Sequence, residues 1–217
     1  MTNERYPPEI NWFFTHLARL LLRITGWRYE GELPNAPKFI IVAYPHTSNW
    51  DGLIVVVVAM AMRMKVHWLG KDSLFKSPLL ARFFRWTGGI PIDRSSSHRA
   101  LKSTVQAFQD YPTLALVISP EGTRQRQDMF KPGFYFLAQK ANVPMLLGTF
   151  DYTRKLVMLG PLIYPTGDIH ADMQPMYAFY QRGVARYPEN ATPVQLPPRK
   201  DRVQSKPSED NPPPVKE

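Results

Sequence analysis

The chain has 217 residues, enough for one domain with a sizeable core plus a tail, and too few for two large domains. It contains no cysteine, which excludes disulfides, thiolate catalysis and cysteine-held zinc or iron–sulfur centres. Its formal net charge of +9 favours anionic partners: nucleic acid, an acidic membrane surface or phosphorylated substrates.

Residues 10–27 show a 3.6-residue period. Ile10, Phe13, Phe14, Leu17, Leu20, Leu21 and Ile24 share one side of a helical wheel, with Arg19 and Arg23 opposite. No apolar run reaches the ~18 residues of a membrane span, and charges inside this stretch set it apart from a signal peptide. Two roles stay open, a helix packed on the core and a helix lying in a membrane interface with its arginines toward lipid phosphates. One helix can do both. After Pro34 and Pro37, residues 39–43 read as a buried strand, and the polar run His46-Thr-Ser-Asn-Trp-Asp51 follows. Residues 53–64 read as an apolar helix, 66–69 as a strand, and 74–86 as a helix with Arg82 and Arg85 exposed. A short strand at 89–92 ends in Asp93-Arg94, and 100–108 is an amphipathic helix. A strand at 114–118 leads into Glu121-Gly-Thr-Arg124. Then come a helix at 134–140, strands at 144–150 and 155–159, and a last helix at 173–182.

Strands alternating with helices predict an α/β fold: a single domain with a mostly parallel central sheet flanked by helices, an N-terminal amphipathic helix and a disordered C-terminal tail. The expected boundaries are 1–29 for the helix, 30–187 for the domain and 188–217 for the tail, where eight of the 22 prolines fall. In such sheets ligands bind beyond the carboxyl ends of the strands. The polar segments after residues 43, 92 and 118 all fall at such ends, so they converge on one candidate site.

An imidazole titrates near neutral pH and can act as a general base, and a carboxylate five residues on can fix its tautomer. His46 and Asp51 have that spacing, but so do many pairs that are only a turn residue and a helix cap. In Glu121-Gly-Thr-Arg124, Gly122 allows close backbone approach, Thr123 offers a hydroxyl and Arg124 offers two parallel donors for a phosphate. A polar loop with a surface arginine is the plainer alternative. Arg94 is a second phosphate candidate, or else part of a loop salt bridge to Asp93 or Glu121. Lys71 and Lys131 are further basic residues near strand or loop ends, where solvated lysines are common. No Gly-x-Ser-x-Gly nucleophile elbow is present.

Taken together, His46-x4-Asp51 (an HX4D motif), Gly89-Ile-Pro-Ile-Asp-Arg94 and Glu121-Gly-Thr-Arg124, in this order, resemble the lysophospholipid acyltransferase superfamily, and most of all the 1-acyl-sn-glycerol-3-phosphate acyltransferases. Leu69-Gly-Lys-Asp-Ser-Leu-Phe75 and Phe130-Lys-Pro-Gly-Phe-Tyr135 resemble the family's connecting segments, so the likeness spans about residues 38–180. It implies transfer of a fatty acyl group from acyl-CoA or acyl-carrier protein to a lysophospholipid hydroxyl. His46 is then the base and Asp51 its orienting partner. Arg94, Glu121, Gly122, Thr123 and Arg124 shape the acceptor site, with Lys71 nearby. The family's fourth block, Val-Pro-x-x-Pro, is here Val143-Pro144-Met145-Leu146-Leu147 without its second proline. No metal or cofactor is implied beyond the thioester co-substrate. The basic charge and the N-terminal helix fit a peripheral position on the cytoplasmic leaflet. Rival expectations keep the chemistry with another acceptor (a lyso-ornithine lipid, a lipid A precursor or another lysophospholipid) or keep the fold as an inactive membrane-surface binder. Nucleic acid is not an expected partner, because the aromatics lie mainly in apolar periodic stretches.

Overall fold

Seven strands form one sheet in the order β1-β7-β6-β2-β5-β3-β4. The computed structural model describes residues 10–93 and 96–198. In chain order the elements are α1 (Trp12–Thr25), β1 (Arg28–Glu30), β2 (Lys38–Tyr44), α2 (Asn49–Ala61), β3 (Val66–Lys71), α3 (Pro78–Trp86), β4 (Gly89–Ile92), α4 (Ser97–Asp110) and β5 (Leu114–Ile118). There follow α5 (Gly133–Ala141), β6 (Met145–Asp151), β7 (Leu156–Ile163), α6 (Ile169–Asp172) and α7 (Gln174–Tyr180). The chain is a single α/β domain with a mostly parallel sheet. Strands β6, β2, β5, β3 and β4 run parallel, whereas β7 is antiparallel to β6 and carries β1 beside it.

The sheet is covered on both faces, as parallel strands require. The alternation of β2 shows how. Ile40, Val42 and Tyr44 pack with Phe134, Leu137 and Ala138 of α5 and with Phe108 of α4. Phe39, Ile41 and Ala43 turn to the other face, toward Ala59 and Val58 of α2. The helix after β2 therefore lies on one face and the helix after β5 on the other. Because β2 and β5 are neighbours, a crevice opens between their carboxyl ends, the usual ligand position in doubly wound sheets.

Four elements differ from the sequence expectations. The helix expected over 74–86 breaks into a 3-10 turn (Asp72–Phe75) and α3, because Pro78 opens α3 and has no N–H to continue the earlier turn. Strand β1 has three residues and no apolar run, so periodicity does not reveal it. The last helix, expected over 173–182, is the shorter α7, and a one-turn helix not expected from the sequence, α6, precedes it. The tail also begins later than residue 188. Within 188–198, Thr192 is fully buried and Leu196 nearly so. The Phe130 amide donates to the Gln195 carbonyl at 2.9 Å, and Gln195 Nε2 donates to the Asp128 carbonyl at 2.6 Å. Residues 199–217, most of the expected tail, lie outside the described residues.

Helix α1 packs on the core by a narrow side only. Its small residues, Thr15 and Ala18, together with Leu22, face the core, and Arg19 Nε donates to the Ala61 carbonyl at the end of α2. The apolar stripe turns outward: Phe13, Leu17, Leu20, Leu21 and Ile24 are all exposed, Ile24 at 72%. No helix among the described residues is long and apolar enough to cross a membrane.

Candidate active site

The carboxyl end of β2 leads through Pro45 to His46, and Ser48 then caps α2. The cap is reciprocal: the Ser48 side chain meets the first turn, and the Asp51 carboxylate accepts from the Ser48 amide at 2.8 Å. The same oxygen, Oδ2, also accepts from the Thr47 amide at 2.8 Å and meets His46 Nδ1 at 3.1 Å. The two open readings of Asp51, helix cap and histidine partner, are both realised by one atom. Its other oxygen accepts from the Tyr152 hydroxyl.

A carboxylate only accepts, so His46 Nδ1 carries the proton in this contact and Nε2 is the basic nitrogen. Among the described residues nothing engages Nε2, and the His46 side chain is 32% exposed against 2% for Asp51. The pair therefore presents a base to solvent and keeps its orienting charge inside. Asp51 is buried yet has a donor on each oxygen, so neither oxygen is left without a partner inside the fold. Tyr152 is the complement: burial first, then its bond to Asp51, pushes its phenol well above the ordinary range, so it stays a donor.

Glu121 does a different job from the acceptor contact expected of it. It is 0% exposed, so it does not reach the surface of the crevice. Its Oε2 accepts from the His46 amide at 2.6 Å and from Ser119 Oγ at 3.3 Å, and its Oε1 accepts from the Thr192 amide at 3.2 Å. Burial raises its pKa, while the His46 and Thr192 amides oppose that shift. Glu121 thus ties the His46 loop backbone to β5 and to the C-terminal segment. Gly122 takes φ +67°, and a Cβ there would come within 3.2 Å of Lys131 Cδ, so the glycine is needed for the turn and for Lys131 to lie across it. Thr123 is half-buried, and its hydroxyl accepts from the Gln125 amide at 3.4 Å. Arg124 is exposed and donates to the Asn49 side chain, which brings it over the first residue of α2, two positions from Asp51.

Of the remaining candidates, Lys71 is not gathered at His46. Lys71 is exposed at the end of β3, on the same sheet edge but two strands from β2, ~10 Å away at ordinary strand spacing. Arg94 follows β4, the edge strand, and lies outside the described residues. Among the described residues, no group of three His, Asp or Glu side chains is arranged to hold a metal ion.

Sequence reasoning missed the C-terminal wall of the crevice. Residues 184–196 run beside β6 and over the His46 loop. The Val184 amide donates to the Phe150 carbonyl at 2.7 Å, and the Tyr187 amide donates to Thr47 Oγ1 at 3.3 Å. Tyr44 donates its hydroxyl to the Thr192 carbonyl at 2.8 Å, and burial pushes that phenol up to about 12. Arg186 stands in this wall with its guanidinium 5.4 Å from the Trp50 ring and 5.6 Å from the Tyr187 ring. Compositional bias hid the segment, because its anchors are mostly backbone groups, with Thr192 and Gln195 beside them.

No curated protein sequence matches the chain. Among solved structures it is similar to the crystal structure of the 1-acyl-sn-glycerophosphate (LPA) acyltransferase PlsC from Thermotoga maritima. The identity is 19% and the TM-score 0.55, over 74% of this chain and 72% of that one. This is a likeness of fold. A family model described as Acyltransferase matches residues 28–147. That stretch is more than half of the sequence, from β1 into β6, and includes His46, Asp51 and Glu121-Gly-Thr-Arg124; the chain belongs to the Acyltransferase family.

Proposed function

We propose that the protein is an O-acyltransferase that moves a fatty acyl group from acyl-CoA or acyl-carrier protein to the free hydroxyl of a lysophospholipid, 1-acyl-sn-glycerol-3-phosphate, giving phosphatidic acid. The observation that carries this reading is the His46–Asp51 pair, with Nδ1 held at 3.1 Å from a buried carboxylate and the imidazole itself partly exposed. Nε2 takes the hydroxyl proton as the acceptor oxygen attacks the thioester carbonyl. The new C–O bond places negative charge on the carbonyl oxygen, which preorganised donors stabilise. On collapse the C–S bond breaks, and the leaving thiolate takes the proton from Nε2–H. His46 returns neutral, and the products are an ester and a thiol. Asp51 stabilises the imidazolium between the two steps. The enzyme forms no acyl intermediate, in keeping with a chain that lacks cysteine.

The acceptor is a membrane lipid, and the enzyme meets it as a peripheral protein on the cytoplasmic leaflet. Support comes from two adjoining helices. Leu79, Leu80, Phe83 and Trp86 of α3 are exposed, Leu79 at 79%. Trp86 meets Phe14 of α1 edge-on at 5.7 Å between ring centroids, so the outward faces of α1 and α3 make one apolar surface. Exposed Arg19, Arg23, Arg82 and Arg85 border it. An apolar stripe edged with arginines is the pattern of an interfacial helix on anionic lipid. Behind it, a cavity of about 240 Å³ lies between α1, α2 and α3, lined by Phe14, Val56, Met60 and Trp86 among others. The cavity supports a place for part of an acyl chain.

The test is purified protein with labelled acyl-CoA and lysophosphatidic acid in detergent micelles, wild type beside His46→Ala. Thioester-dependent phosphatidic acid, lost in the variant, is the expected result. Product from both proteins would remove His46 from its role. Product only with another lyso-acceptor would move the acceptor assignment. No transfer to any acceptor from either donor would overturn the reaction.

A further inference from the structure

We propose that Arg186 is the ligand for the phosphate of the acyl acceptor, an inference that rests on the reaction proposed above and assigns it a residue beyond the matched family region. Three observations carry it. First, the guanidinium is fixed. It lies over Trp50 at 5.4 Å and Tyr187 at 5.6 Å, and its charge acts on the Tyr152 phenol, drawing that pKa down against burial. Tyr152 in turn donates to Asp51, so Arg186 is linked to the His46–Asp51 pair through one phenol.

Second, its backbone is held on both sides. Val184 bridges to Asp151 at the end of β6, the Tyr152 amide donates to the Val184 carbonyl at 3.0 Å, and Tyr187 is tied to Thr47. The position of the cation is therefore set by the same loop that carries the base. Third, its charge is unspent. The ion pairs among the described residues are His46–Asp51, Arg99–Asp93 and Arg154–Asp151, and none of them uses Arg186. An arginine stacked on two rings, with donors left over and no carboxylate, is set to receive a planar or tetrahedral oxyanion through parallel N–H bonds.

A glycerol phosphate monoester carries its phosphate one carbon from the reacting hydroxyl. A fixed cation joined to the His46–Asp51 pair through one phenol therefore orients the hydroxyl toward Nε2. The donor thioester also carries phosphates, and the kinetics separate the two sources. With 1-hexanoyl lysophosphatidic acid as a monomeric acceptor, Arg186→Gln is expected to raise the acceptor KM on the order of 10- to 100-fold, the loss of a charge-assisted hydrogen-bonded pair. The donor KM is expected to stay unchanged and kcat to fall less. Wild type is expected to prefer this acceptor over 1-hexanoylglycerol, Arg186→Gln to lose the preference, and Arg186→Lys to recover part of it. An unchanged acceptor KM overturns the proposal, and so does a change confined to the donor KM. Equilibrium binding of the same lysophosphatidic acid to wild type and Arg186→Gln needs no turnover. At least tenfold weaker binding to the variant, with an unchanged thermal melt, supports the assignment even if the reaction is wrong. Equal binding refutes it.

Discussion

The crevice at the ends of β2 and β5 and the outer faces of α1 and α3 break the ordinary partition of residues in opposite directions. In the crevice two carboxylates are inside: Asp51 is 2% exposed and Glu121 0%. On the helices large apolar side chains are outside, Leu79 at 79% and Ile24 at 72%. The first arrangement is self-sufficient, because each buried oxygen has a donor from a backbone amide, a hydroxyl or His46. The second is incomplete in water, because among the described residues no side chain covers it. One region holds its own solvent in the form of fixed hydrogen bonds, while the other fits a non-aqueous medium. Under the proposed function, chemistry and attachment sit in separate parts of the molecule, and substitutions ought to separate them.

The largest expected effect lies in the crevice. Asp51→Asn keeps the size but replaces one acceptor with a donor next to the Thr47 and Ser48 amides and His46 Nδ1. Turnover is expected to fall by ~10³–10⁴, as when the carboxylate behind a catalytic histidine is removed elsewhere, with vesicle binding intact. A loss under tenfold in a steady-state assay would show that Asp51 only caps the helix. Next comes the apolar face. Leu79→Ser with Phe83→Ser withdraws two large side chains worth ~1.5–3 kcal/mol each on burial, so binding to anionic vesicles is expected to weaken on the order of 100-fold. Thermal stability and turnover of a short-chain soluble acceptor should be preserved. If sedimentation with vesicles is unchanged, the face serves something other than lipid.

Glu121→Ala sharpens the comparison from the stability side. It leaves the His46 and Thr192 amides without their acceptor, at about 1–3 kcal/mol each for a buried group, so the melting temperature should drop by roughly 10 °C. A melt within 2 °C of wild type by calorimetry would mean the crevice is less tightly bound together than its geometry implies. The smallest effect is at His67, buried on β3 with no hydrogen bond on Nδ1. Burial first, then Lys65, lowers its pKa to about 4. The unfolded chain takes up that proton below about 6.5 and the folded protein does not. The neutral ring's contribution is therefore complete above pH 6.5 and is lost as pH falls toward about 4, by up to about 3 kcal/mol. Denaturant titrations of His67→Phe should show a flatter dependence between those limits than wild type, and parallel curves would refute it.

The parts that declare themselves in the sequence are those where pattern and chemistry coincide. Strand β2 ends where its apolar run meets His46, and β5 ends at Glu121-Gly-Thr-Arg124, so the crevice was visible as polar punctuation after buried strands. Periodicity found α1 but not its orientation. It marks the bulky stripe, whereas packing against α2 selected the side of Thr15 and Ala18, where the helices can approach closely. Residue type flagged Glu121 as polar and near the site, but only burial shows that it serves the loop rather than the substrate. Arg186 had no signal, since a lone arginine in a loop gains meaning only from Trp50, Tyr152 and Tyr187, distant in sequence. The proline-rich composition of 188–198 outweighed the few contacts that fold it.

The most direct test uses anionic vesicles containing labelled acyl thioester and lysophosphatidic acid, with wild type and His46→Ala compared for both binding and transfer. The variant is expected to bind the vesicles as tightly as wild type and to transfer acyl groups at least 10³-fold more slowly, within the range of general-base removal. Transfer at the wild-type rate by vesicle-bound His46→Ala would contradict the assignment of the base, and with it the account of what the buried crevice is for.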